Sequence, residues 1–272
     1  MKGISFGQYY PSNSLLHKLD ARIKIILTIL YIVCSFLCDN ILSYALLSAS
    51  AITLILIGRV PLRMVFRGLR AVLFVIIFTA VLNIFWTNGE QLLFSYGIIT
   101  IYAEGLYSAL FMVIRISTLI IGTGMLLTYT TTPITLTNAI EDLLSPLKLI
   151  NVPVHSFAMM MTIALRFIPT LSEETEKIMT AQKARGADFS SGGLISKAKA
   201  LVPVLVPLFV SAFNRAGDLA TAMECRCYNG DKGRTRMTVR HLKVVDFIPL
   251  LVIAAFGASL IWLNILGIGY TA

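Results

Sequence analysis

The sequence predicts an all-α integral membrane protein with about five transmembrane helices and a cytoplasmic segment of three long helices. Three observations predict it. The chain of 272 residues is 57% hydrophobic and only 14% charged, whereas soluble domains are nearer one quarter charged. Five apolar runs approach the roughly 20 residues that a bilayer-crossing helix needs. Lys and Arg outnumber Asp and Glu by 23 to 14, and apart from Arg115 they fall in or beside connections that share one side of such an arrangement. Mean hydropathy is +0.80. A net charge of +9 in this setting marks cytoplasmic loops rather than nucleic-acid binding.

The spans follow in order. Met1–Asp20 is polar and has no apolar core of a cleavable signal peptide. Ile23–Cys38 is a short first span, with Lys24 snorkelling at its cytoplasmic end. Asp39-Asn40 is a tight turn into the second, Ile41–Ile57. Leu69–Trp86 is the third, Glu104–Thr128 the fourth and Phe247–Leu266 the last. Lys2, Lys18, Arg22 and Lys24 precede the first span or open it, and Arg59, Arg63, Arg67 and Arg70 fill the loop between the second and third. The connections 39–40 and 87–103 and the tail after Leu266 have no Lys or Arg. The positive-inside rule then puts the N-terminus in the cytoplasm and the C-terminus outside. The chain divides into 1–128, 129–246 and 247–272.

Two further apolar stretches, 157–168 and 200–213, compete as spans. Both are shorter than about 17 residues, the lower limit for crossing. A hairpin through the membrane would also carry Lys177, Lys183, Arg185, Lys197 and Lys199 to the wrong side. They are read as helices that stay inside and lie against the membrane or each other.

Residues 129–246 read as helical. Thr132-Pro133 is an N-cap with proline at the first helical position. Leu136, Ile140, Leu143, Leu144 and Leu147 then recur at helical spacing up to the break at Asn151-Val152-Pro153. A second helix runs from about Val154 to Arg185, with a kink expected at Pro169. Gly186 and Gly192-Gly193 end it. A third runs from about Leu194 to Cys227. Its apolar stripe is Phe209, Ala212, Phe213, Ala216, Leu219, Ala220 and Met223, and Ser211, Asn214, Arg215 and Asp218 form the opposite face. Asn229-Gly230-Asp231 closes it, and the basic run Lys232–Lys243 leads back to the membrane.

The hexapeptide Thr180–Arg185 is echoed by Thr221–Arg226. Both copies end a long helix and both finish on an arginine between small residues. A cation suits the partial negative charge of a helix C-terminus, so an ordinary cap explains each arginine. A docking tip explains it too: small neighbours permit close approach, and a guanidinium forms a two-pronged pair with a partner carboxylate.

Chemistry of other kinds is missing. There is no G-x-x-x-x-G-K-[ST] phosphate loop, no H-E-x-x-H and no G-x-S-x-G. His17, His155 and His241 are scattered, and Cys34, Cys38, Cys225 and Cys227 have no zinc-site spacing. No metal or catalytic site is expected. No carboxylate sits mid-span, where a proton-coupled carrier usually needs one. Arg115 is the one mid-span charge. It reads as structural, and a pore-facing role for it is what a stand-alone channel or secondary carrier would require.

Four blocks resemble the transmembrane T component of energy-coupling factor transporters. Leu16-His17-Lys18-Leu19-Asp20-Ala21-Arg22-Ile23-Lys24 is similar to that family's opening signature, with Ala21 where proline is usual. Leu165-Arg166-Phe167-Ile168-Pro169 is similar to its central block. Ala181-Gln182-Lys183-Ala184-Arg185-Gly186 resembles its first Ala-Arg-Gly coupling motif, and Ala222-Met223-Glu224-Cys225-Arg226-Cys227-Tyr228 the second, with cysteines flanking the arginine.

The resemblance implies a non-catalytic subunit in the bacterial cell membrane. Two ABC ATPases, identical or different, would bind ATP and Mg and receive the tips Ala184-Arg185-Gly186 and Cys225-Arg226-Cys227. A membrane S component would capture a vitamin or other micronutrient and pack on the apolar helices, with Met159, Met160, Met161, Phe209 and Phe213 as its contacts. Methionines suit an adaptable surface, although ordinary core packing explains them as well. The implied partners are lipid, the S component and the ATPases, with no nucleic acid.

Overall fold

The computed structural model describes residues 9–87, 92–96, 99–150, 152–189, 193–230 and 244–266. The expected turn residues Asn151, Gly192 and Asp231, the basic run Lys232–Lys243 and the tail after Leu266 lie outside them. Two compact units emerge. Of the described residues, those within 9–136 and 244–266 form one, and those within 137–230 form the other.

The first unit is a helical bundle. It contains α1 (Leu15–Lys18), α2 (Ala21–Phe36), α3 (Ile41–Gly58), α4 (Leu62–Trp86), α5 (Ala103–Thr123) and α9 (Ile248–Leu266). A π-helical turn, Gly124–Thr128, extends α5. The sequence-derived spans are close for α3, α5 and α9. Two are corrected. Helix α4 begins at Leu62, so Arg63, Arg67 and Arg70 are helical rather than in a loop. Helix α2 has 16 residues, about 24 Å of rise against about 30 Å of hydrocarbon. It is absent from the six helices of the described residues that are long and apolar enough to cross: α3, α4, α5 with its π turn, α7, α8 and α9.

Helix α2 forms the centre of the bundle's core. Ile23, Leu27, Tyr31 and Cys34 recur on one face and are all buried. They pack with Leu16, Tyr44, Leu47, Phe111, Leu126 and Leu260 from neighbouring elements. Close approach needs Gly122: a Cβ there would collide with the Tyr31 ring. Helices α4 and α5 also meet tightly, since a Cβ on Gly105 would sit 3.2 Å from the Ile84 carbonyl oxygen. The connection between them holds a short antiparallel hairpin, β1 (Leu92–Tyr96) with β2 (Ile99–Tyr102), in which Tyr96 pairs with Ile99 and Phe94 with Ile101.

Polar groups seal both ends of the bundle. At one end Asp20 caps α2 by accepting from the Arg22 amide at 2.9 Å. His17 shares hydrogen bonds with Ser14 Oγ (2.7 Å) and the Tyr10 carbonyl (2.8 Å). Lys24 does not snorkel. It is 2% exposed, and its Nζ donates to the Thr130 carbonyl (2.9 Å), Thr130 Oγ1 (3.2 Å) and Thr131 Oγ1 (3.2 Å). A buried ammonium needs that satisfaction. Burial raises the Tyr129 hydroxyl above its ordinary pKa, and that hydroxyl donates to the Met64 carbonyl at 3.4 Å.

At the other end the turn between α2 and α3 is tied to α9. Asn40 Nδ2 donates to the Leu263 carbonyl (3.2 Å), Asn264 Nδ2 to the Leu37 carbonyl (2.5 Å), and Ser43 Oγ to Asn264 Oδ1 (3.1 Å). Arg115 adds α5 to this seam. Its Nη2 donates to the Cys38 carbonyl at 2.7 Å and to the Tyr44 hydroxyl, and its guanidinium lies 5.4 Å from the Tyr44 ring centre.

The second unit holds most of α6 (Pro133–Leu143), a 3-10 turn (Ser145–Ile150), α7 (Val154–Ala184) and α8 (Leu194–Cys225). Only two of the three helices expected here are long, because α6 has 11 residues. Thr132 Oγ1 accepts from the Thr135 amide (3.4 Å), as an N-cap should. The apolar stripe of α6 does not form a core: Ile140, Leu144 and Leu147 are exposed, while Thr137, Ala139 and Glu141 are buried. Helices α7 and α8 keep Pro169, Pro203 and Pro207 inside them. Each contains an apolar window of span length, so length does not keep them out of the bilayer. Only the charges beside them argue against crossing.

Candidate functional site

The two arginine tips end α7 and α8 in the same way. On α7 the chain continues helically to Ala184. The Gly186 amide then donates to the Lys183 carbonyl (3.0 Å) and the Ala187 amide to the Gln182 carbonyl (3.0 Å). On α8 the Cys227 amide donates to the Glu224 carbonyl (2.8 Å) and the Tyr228 amide to the Met223 carbonyl (3.0 Å). Both are Schellman caps with arginine as the C-cap residue and a left-handed residue after it. That residue is Gly186 at φ 88° on α7 and Cys227 at φ 54° on α8. Nothing lies within 4 Å of a Cβ built on Gly186. Its backbone angle, rather than space, therefore accounts for the glycine.

Ala184, Arg185, Gly186, Cys225, Arg226 and Cys227 are all exposed. Each arginine sits at the negative end of its helix dipole with its neighbours drawn back. An exposed planar cation on a narrow tip can form charge-assisted, two-pronged hydrogen bonds to a carboxylate.

One ion pair, not announced by any local motif, joins the two helices. Arg215 Nη2 donates to Glu174 Oε2 at 2.6 Å, and the two residues are 41 apart in the chain. That is also the offset between the two tips. Arg185 lies eleven residues beyond Glu174, and Arg226 eleven beyond Arg215. The pair is thus equidistant from both tips, about 16 Å along each helix axis. Arg215, expected on the polar face of α8, turns toward α7. The repeat offset was the signal that could have found it. Around the pair, Ile163, Phe167 and Leu171 of α7 and Ala212, Ala216, Leu219 and Met223 of α8 line a shallow cleft of about 290 Å³.

Met160, Met161, Phe209 and Phe213 are exposed, and Met159 is half-buried. Phe209 and Phe213 line an open apolar groove of about 630 Å³ with Val202, Leu205, Val206 and Val210. The methionines do not line it, so the structure separates these candidate contacts into two patches. At the start of α7, His155 Nδ1 is 2.8 Å from Glu141 Oε1 of α6, a pairing that no spacing in the sequence announced. Among the described residues, no three His, Cys, Asp or Glu side chains are grouped to hold a metal ion. Arg115 is engaged within the first unit by the Cys38 carbonyl and by the hydroxyl and ring of Tyr44.

The profile of the cobalt transport protein family matches residues 12–237. An energy-coupling factor transporter transmembrane protein EcfT from Ruminiclostridium cellulolyticum is 54% identical over 237 residues, covering 87% of this chain and 88% of that one. The EcfT of Clostridium kluyveri is 52% identical over 252 residues, 92% and 93% of the two chains. That of Bacillus subtilis is 47% identical over 236 residues, 87% and 89%. With apolar helices of span length and relatives matched along nearly their whole length, the chain belongs to the EcfT family and is the transmembrane T component of an energy-coupling factor transporter.

Proposed function

We propose that this T component carries ATP-driven movement from two cytoplasmic ABC ATPases, identical or different, to a membrane S component that takes up a vitamin or other micronutrient. The observation that carries the reading is the matched pair of exposed arginine caps on α7 and α8. Arg185 and Arg226 each enter a groove on one ATPase and pair with a carboxylate there, with Ala184, Gly186, Cys225 and Cys227 giving the clearance. ATP and Mg are bound by the ATPases. Met159, Met160 and Met161 on α7 and Phe209 and Phe213 on α8 are two contact patches for the S component. The N-terminus is cytoplasmic and the C-terminus outside, as the distribution of Lys and Arg requires.

Losing an interface arginine that pairs with a carboxylate costs about 2–5 kcal/mol. The double variant R185A/R226A is expected to insert in the membrane normally yet lose the ATPases on purification. Unchanged co-purification would overturn the docking reading.

A further inference from the structure

Helix α4 carries a feature apart from the arginine tips of α7 and α8. Arg63, Arg67 and Arg70 recur at positions i, i+4 and i+7, within about 60° of arc on one helix face. All three are exposed. Among the described residues none has an ion-pair partner. No Asp or Glu occurs between Asp39 and Glu90 to supply one locally. Arg59, in the turn before α4, adds a fourth exposed cation.

The same face continues as Phe74 and Phe78. Their rings stack at 6.2 Å with 10° between planes, and they are 78% and 55% exposed. The result is an amphiphilic stripe, three guanidiniums followed by two aromatic rings, on a helix with little of its length buried.

Helix length sets the depth of the stripe. The 25 residues of α4 span about 37 Å, against about 30 Å of hydrocarbon. Trp86, 82% exposed at the far end, belongs at the opposite interface, where tryptophan is enriched. The surplus length then falls in the first turns. Arg63 and Arg67 lie at headgroup level, Arg70 reaches it by snorkelling, and Phe74 and Phe78 lie among acyl chains.

We propose that this face is a binding site for an anionic phospholipid in the leaflet beside the α3–α4 connection. The arginines hold its phosphate and the stacked phenylalanines its acyl chain. Charge selects the ligand: three guanidiniums with no ion-pair partner among the described residues favour an anionic lipid over a zwitterionic one.

The test is native mass spectrometry of the full chain titrated with phosphatidylglycerol or phosphatidylethanolamine. The wild type is expected to retain phosphatidylglycerol selectively, and R63Q/R67Q/R70Q to lose at least about tenfold in that affinity. The control K177Q/K197Q/K199Q removes the same charge elsewhere and should bind as the wild type does. F74A/F78A should weaken retention of both lipids. An equal loss in the lysine control would make the effect one of bulk charge and overturn the site. Competition by free glycerol phosphate as effective as by the lipid would reassign it to a soluble anion. Normal lipid retention with loss of a co-purified subunit would make it a protein dock. Should the triple variant fail to fold, photo-crosslinking of wild-type chain by an azido-phosphatidylglycerol decides. Labelling within residues 63–78 is expected, and labelling elsewhere overturns the proposal.

Discussion

Replacing Glu174 by alanine removes the carboxylate that holds Arg215 at 2.6 Å. The side chains of Arg215 and Glu174 are 36% and 22% exposed, so the pair is partly screened and contributes about 1 kcal/mol. That is about a fivefold change in an equilibrium between crossing arrangements of α7 and α8. Leverage magnifies it. With each tip about 16 Å from the pair, a 10° change in crossing angle, on the order of a helix-packing fluctuation, moves a tip by about 3 Å. A bidentate hydrogen bond tolerates far less. Spin labels at Lys183 and Glu224, corresponding positions beside the two tips, report the separation by double electron–electron resonance in a chain whose four cysteines are replaced. E174A and R215A should each broaden the distance distribution, and the exchanged pair E174R/R215E should narrow it again. A wild-type distribution in both single variants, or an exchanged pair no narrower than they are, would refute the pivot. Co-purification of the ATPases should weaken in both single variants and recover in the exchanged pair, whereas R185A/R226A should not be rescued by the exchange, which separates the pivot from the docking reading.

Other predictions concern local energetics. K24M deletes an ammonium enclosed by three oxygens and leaves buried acceptors unpaired. It should destabilise the first unit by about 3 kcal/mol, seen as a lower thermal aggregation midpoint in detergent. C227G relieves a left-handed cysteine and should stabilise the α8 tip by about 1 kcal/mol, whereas G186A should cost at least as much at the α7 tip. Slower and faster amide exchange at Tyr228 and Ala187 respectively would confirm both signs. N264L cuts the seam between α9 and the α2–α3 turn and should cost about 1–3 kcal/mol, read by increased proteolysis near Leu37.

Much of this was legible without coordinates, for a physical reason. Bilayer spans depend on apolar length and helix ends on capping residues. Each is local in the chain, which is why Ile41–Gly58, Thr132-Pro133 and the tips at Arg185 and Arg226 could be read directly. Where local signals conflicted with packing, packing won. Ala21–Phe36 is short for a span, and its place at the centre of the bundle is set by packing against neighbouring helices that its own sequence does not disclose. Lys24 looked free to snorkel because nothing near it in sequence discloses the Thr130 and Thr131 oxygens, more than a hundred residues away. Arg115 could be named as an intramembrane charge, but only the approach of Cys38 and Tyr44 made it a packing residue. The offset of 41 residues stood in the sequence as a faint repeat. Tertiary structure turned it into two matched caps about one ion pair, since only the crossing of α7 over α8 brings Glu174 to Arg215.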